Sequence, residues 1–215
     1  MNLHIPTHLA SLRVALERLG GEITVFAVEP PAAAAAVDAV EAQIGRPLPQ
    51  RLRHFFMEQT AGVDILWSLD DRDFSGSFDL RLSALAEEWD GWRSGWREAF
   101  EHPAAHGWPA EANLQAFDAA FPLLSLMNGD QLILFDDDPG DPGEVMYLSH
   151  EAADGDLVVL GTSLDRFFET WVRLACAGPE FDELVDFYDF DAQEISLETE
   201  ESREWVTLLE RASSS

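Results

Sequence analysis

The sequence predicts an α+β fold: one domain in which a mainly antiparallel, curved sheet is flanked by helices. Three observations predict it. Apolar residues recur at helical spacing through residues 37–62, strand-length apolar runs follow one another without a crossover helix through 121–160, and an amphipathic helix closes that stretch.

Val37, Val40 and Ile44 form the apolar stripe of a first helix, which Gly45 ends by offering the left-handed conformation. After Arg46-Pro47-Leu48-Pro49 a second helix runs through Leu52, Phe55 and Phe56 to a stop at Gly62. Pro49 has its φ set for the first turn, and Gln50, Arg51 and Arg53 point to water. The two helices meet at a fixed corner. From about Ser83 to Glu101, Trp89, Trp92 and Trp96 recur three and four apart, with Leu85 and Phe100 extending the stripe. This is a Trp-rich helical insert, at about 83–120, and it reads either as core packing or as a stacking platform.

Residues 121–126 and 131–135 are strands of one hairpin, joined through Met127-Asn128-Gly129-Asp130, whose Asn-Gly pair signals a tight turn. A third strand, 144–148, follows an acidic loop, and a fourth, 157–160, follows the loop around His150 and Gly155. Thr162 with Asp165 three residues on predicts a capping box, opening a helix whose buried stripe is Leu164, Phe167, Phe168, Trp171 and Leu174. The domain so defined covers 1–178. Residues 179–215 form an acidic amphipathic helical extension, with Phe181, Phe187, Tyr188 and Trp205 among its apolar positions. Those aromatics either dock on the protein's own core or anchor a partner.

Charge narrows the function. The chain has 41 acidic and 13 basic residues, a formal net charge of -28, and no lysine. A Schiff-base lysine, a phosphate-loop lysine and a Ser-Lys dyad are therefore excluded. Between Arg97 and Arg166 there is no arginine, while acids accumulate at Asp130, Asp136, Asp137, Asp138, Asp141, Glu144, Glu151, Asp154 and Asp156. This sheet end is expected to carry a negative field, which repels nucleic acid and anionic membranes and draws in a basic partner. The bland alternative is a solvated face that maintains solubility. Cys176 is the only cysteine and reads as a small buried hydrophobe. The first residues lack the pattern of a signal peptide, and no run reaches membrane-spanning length, so a cytoplasmic location is expected.

Chemical motifs are weak. His102 and His106 are four apart, but Pro103 and Gly107 place them in a loop where that spacing does not aim both rings at one metal. Asp136, Asp138 and Asp141 lack the remaining ligands and the glycine of an EF-hand. Gly161-Thr162-Ser163 is too short for a nucleophile elbow, and His150 beside Glu151 in a strand would point to the opposite face. No cofactor, metal or catalytic residue is expected.

In its order of elements the chain resembles the SUKH superfamily, which includes Smi/Knr-type regulators of fungal cell-wall synthesis and bacterial immunity proteins against polymorphic toxins. The resemblance rests on Glu41, Gly45, Leu48-Pro49, Phe55-Phe56, Gly62, Gly129-Asp130, Asp136, Val145, His150 and Phe167-Phe168. It does not extend to the insert or to the segment after Gly178. It implies an immunity protein that binds a cognate toxin and inhibits it stoichiometrically, the toxin being basic and directed at nucleic acid. Asp136, Asp137, Asp138, Asp141, Glu144, Glu151, Asp154 and Asp156 would be the partner-binding acids. The alternatives are a regulatory scaffold of the Smi/Knr type and a carboxylate-based or metal-assisted hydrolase.

Overall fold

A computed structural model describes residues 4–69, 74–106, 114–126, 128–135, 143–150, 157–178 and 181–214. Helix α1 (Ile5–Arg18) opens with His4, whose ring accepts from the Thr7 amide, and buries Ile5, Leu9, Leu12, Ala15 and Leu16. Strands β1 (Glu22–Val28), β2 (Gly62–Leu69) and β3 (Phe74–Arg81) form one antiparallel sheet in that order, with β1 at an edge. Strands β4 (Ala120–Ser125), β5 (Gln131–Phe135), β6 (Glu144–Leu148) and β7 (Leu157–Gly161) form a second as a simple meander. The α+β class, the antiparallel pairing and the flanking helices agree with the sequence reading. The strands divide between separate ladders, and the first of these was not assigned from the sequence.

The corner between α2 (Ala34–Ile44) and α3 (Gln50–Glu58) has a definite lock. Gly45 has φ +79, and the α2 residue Glu41 reaches across it. Glu41 Oε1 accepts from the Leu48 amide at 3.0 Å, while Oε2 accepts from Arg53 Nη1 at 2.6 Å; Arg53 Nη2 donates to Asp38 at 2.7 Å. Arg53 is therefore half-buried in an ion cluster and not simply solvated. Pro49 occupies the N-cap with ψ 135, one residue before the first turn, and its carbonyl accepts from the Arg53 amide. Gly62 opens β2 and does not end α3.

Helix α7 (Leu164–Arg173) joins the layers. Its Phe168 lies 4.7 Å from Phe55 of α3 and 5.6 Å from Phe78 of β3, and its Trp171 lies 4.8 Å from Phe78. The same helix packs on β6 and β7. Burying each such ring stabilises the fold by about 1.5–3 kcal/mol. The N-cap is Ser163, whose hydroxyl accepts from the Arg166 amide at 3.2 Å; Thr162, the expected cap, instead bonds Glu194 through its amide and hydroxyl.

The Trp-rich insert packs inward. In α4 (Leu85–Gly95) Trp89 stacks on Phe121 of β4, and Trp92 stacks on Phe117 of α6 (Leu114–Ala119) at 4.9 Å. A short α5 (Arg97–Glu101) follows Trp96, which is half-buried. Core packing is thus the use made of Trp89 and Trp92. Arg46 and Arg93 cover Trp89 at 5.2 and 5.7 Å, which suits a guanidinium over an aromatic face.

After α7 the chain turns through Ala175 and Cys176, both left-handed, with φ 62 and 55. Two consecutive residues with a Cβ in this region cost free energy that neighbours must offset. Three indoles do so. Trp67 of β2 donates to the Ala175 carbonyl, Trp171 to Ala177 and Trp205 to Leu174, all at 2.8–2.9 Å. Cys176 is fully buried there, as expected, and burial pushes its thiol up. The chain then passes through α8 (Phe181–Leu184), a 3-10 turn (Val185–Phe187) and a hairpin of β8 (Tyr188–Asp189) and β9 (Glu194–Ile195). It ends in α9 (Glu200–Ser214), which lies along α1, where Arg18 donates to the carbonyls of Ala212 and Ser213.

Candidate functional site

The strand register determines where the acidic segments leave the sheet. Phe135 pairs with Glu144, and Leu148 pairs with both Gln131 and Leu157. In a meander, successive connections alternate ends. The segment from Asp136 to Gly143 therefore departs from one end of β6, and the segment containing Glu151, Asp154 and Asp156 departs from the other, about 13 Å away at strand rise. The acids were expected to share one sheet end, and their anchor points do not. Glu144 is exposed at the first of these ends. Asp136, Asp137, Asp138, Asp141, Glu151, Asp154 and Asp156 lie outside the described residues.

Asp130 does not belong to a surface field at all. It is 4% exposed and sits in the tight turn after β4, where Gly129 has φ +96 and the Asn128 side chain accepts from the Asp130 amide. Its Oδ2 accepts from the Tyr147 hydroxyl and from Asn128 Nδ2, the latter at 2.6 Å. Its Oδ1 accepts from the His150 amide at 2.8 Å and faces His150 Nδ1 at 2.7 Å. Burial pushes this carboxyl up, but the hydrogen bonds from Tyr147, the His150 amide and ring, and Asn128 together hold it below its ordinary value. The ionised carboxylate only accepts, so His150 Nδ1 carries the hydrogen. His150 thus takes a carboxylate partner from Asp130, twenty residues away. Such a pair can orient an imidazole, but its evident work is structural: it ties the β4–β5 turn to the end of β6.

The C-terminal segment separates its aromatics. Phe187 and Trp205 are buried at home, Tyr188 is half-buried, and Phe190, which the sequence reading passed over, is 70% exposed. It is the most exposed large apolar side chain among the described residues, ahead of Val14 and Leu66. Phe190 caps the β8–β9 hairpin between Asp189 and Asp191. The hairpin's root is fixed by Glu194, which is buried, pairs with Arg166 and accepts from Thr162. Burial, then the charge of Glu194, raises the Tyr188 phenol. An open cleft of about 680 Å³ is lined by Phe74, Phe187 and Trp205, together with the acids Asp186, Glu201 and Glu204 and the arginines Arg203 and Arg211.

His102 lies at the end of α5 and His106 at the end of a 3-10 turn (Pro103–His106). Among the described residues no cluster of three or more His, Cys, Asp or Glu side chains could hold a metal ion, and no helix is long and apolar enough to cross a membrane.

The described residues form an α+β fold with a helix-corner lock, a meander tied by a buried carboxylate and a hairpin tipped by an exposed aromatic ring. Residues 31–170 match the SMI1 / KNR4 family (SUKH-1), and the chain belongs to that family. The matched stretch runs from just before α2 into α7, so Glu41, Asp130 and His150 fall inside it, and the β8–β9 hairpin and α9 lie beyond it. No curated protein matches the chain in sequence.

Proposed function

We propose that this chain is a cytoplasmic immunity protein that binds a cognate bacterial toxin domain one-to-one and blocks it without turnover. The observation that carries the reading is the imbalance of charge on a member of this family: a net -28, with no basic residue between Arg173 and Arg203 and no arginine between Arg97 and Arg166. A negative surface of this kind selects a basic partner and speeds its capture, and toxins that act on nucleic acid must themselves be basic where they hold phosphate. Asp136, Asp137, Asp138, Asp141 and Glu144 form one proposed contact set, and Glu151, Asp154 and Asp156 a second. The register of β6 supports treating them as two sets, each approached from its own end of the sheet.

The test is a pull-down of the tagged protein from its own cells, eluted in steps of increasing salt, with the partners identified by mass spectrometry. One abundant partner of near-equal stoichiometry, carrying a basic toxic domain, is the expected result. Many weak partners lost at modest salt would replace immunity by a Smi/Knr-type regulatory scaffold, and no partner at all would return the hydrolase to consideration.

A further inference from the structure

We infer that the β8–β9 hairpin is the anchor by which this protein grips its partner, with Phe190 entering an apolar pocket rimmed by basic residues on a protein surface. This rests on the binding function proposed above and specifies where contact is made.

The tip is built before any partner arrives. Asp189 Oδ1 accepts from the amides of Asp191 and Ala192 at 2.9 and 3.0 Å, and the Gln193 amide closes the turn on the Asp189 carbonyl at 2.7 Å. Gln193 takes φ 56 to allow this closure. Tyr188 braces the Phe190 ring edge-on at 5.1 Å, and the buried Ile195 and Glu194 root β9 in the core, with β8 paired to it. A rigid aromatic loses little conformational freedom on docking, which is what makes such a side chain an effective anchor. The fold does not require Phe190: at 70% exposure it contributes little to the core.

Charge selects the partner. Asp189 and Asp191 flank Phe190 along the chain, Asp191 exposed, and the sequence supplies no basic residue from Leu174 to Ser202. The arginine bound at the hairpin root, Arg166, is neutralised by Glu194. An acidic rim around an aromatic tip is complementary to a basic rim around an apolar pocket, and it opposes docking on a second copy of a chain with net charge -28.

The probe is the protein that the wild-type chain retains in the salt-step pull-down, produced recombinantly, with Kd and dissociation rate measured against wild type, Phe190→Ala and Phe190→Leu. Phe190→Ala is expected to raise Kd about tenfold to thirtyfold, almost wholly through faster dissociation, with Phe190→Leu intermediate. An unchanged melting temperature shows that the variant is folded. Equal binding by wild type and Phe190→Ala overturns the anchor while leaving the binding function standing; a wild type that retains no protein removes both. A dimer in sedimentation that Phe190→Ala dissolves would make a second copy the occupant and overturn the assignment to a basic partner.

Discussion

Trp205 of the last helix stacks on Trp67 of β2, their ring centroids 6.0 Å apart and their planes 22° apart. Each indole also donates to a carbonyl of the turn after α7, Trp67 to Ala175 and Trp205 to Leu174. One contact therefore joins the first sheet, the strained turn and the C-terminal helix. Although the family match ends at residue 170, this helix is packed into the same core.

Trp205→Ala is expected to destabilise the protein by about 3–5 kcal/mol in urea unfolding, the usual cost of removing a buried Trp. Trp205→Phe keeps much of the stack and loses the Leu174 hydrogen bond, so about 1–3 kcal/mol is expected. If both changes left the unfolding midpoint untouched, α9 would not be part of the cooperative unit.

Gly76 of β3 lies beneath this turn and bridges to Ala177. A Cβ there would stand 2.5 Å from Trp67 Nε1 and 2.6 Å from the Cys176 carbonyl. Gly76→Ala should therefore force the indole off the Ala175 carbonyl and cost about 1–3 kcal/mol. The Trp67 fluorescence environment should change with it; a variant as stable as wild type with an unaltered spectrum would contradict the close approach.

Asp130 should make stability depend on pH in acid. Its carboxyl is lower in the folded chain than in the unfolded one, so the stabilisation is fully present above the unfolded value near 4 and is lost as pH falls through the folded value. Asp130→Asn should show a flatter loss of stability below about pH 4 and lower stability at pH 7. Tyr147→Phe removes one donor and should move the acid transition toward the ordinary carboxylate range, with a cost of about 1.5–3 kcal/mol at neutral pH. Denaturant titrations across pH 2–7 measure both.

If the proposed binding to a basic toxin holds, neutralising Asp136, Asp137 and Asp138 together to Asn should slow its capture and flatten the salt dependence. Because the second acidic segment leaves from the far end of β6, neutralising Glu151, Asp154 and Asp156 should act independently of the first set. Stopped-flow association over a range of salt decides; an unchanged association rate rules the first loop out.

Much of the scaffold was legible from local pattern. Leu52, Phe55 and Phe56 are buried on the predicted face of α3, the Asn128-Gly129 turn closes the predicted hairpin, and Leu164, Phe167, Phe168 and Trp171 are buried as the helical spacing requires. The first sheet was less accessible, although Val63, Ile65, Trp67 and Leu69 alternate as a half-buried strand should. Its pairing joins β1 to β2 across some forty residues, and no local periodicity encodes that distance. The helix cap was misplaced by one residue because Thr162 and Ser163 are chemically equivalent as caps; only the position of Glu194 distinguishes them.

The sequence alone determined the class of fold, the antiparallel order of the meander, the absence of lysine chemistry and the sign of the chain's own charge, because these depend on composition and on the spacing of neighbours along the chain. Tertiary structure alone decided that Asp130 is an internal tie and not a surface acid, and that among the C-terminal aromatics Trp205 turns inward and Phe190 outward. A carboxylate or an aromatic ring has the same formula whether it is buried or bare. What separates the two is whether donors or apolar surface from distant parts of the chain arrive to cover it.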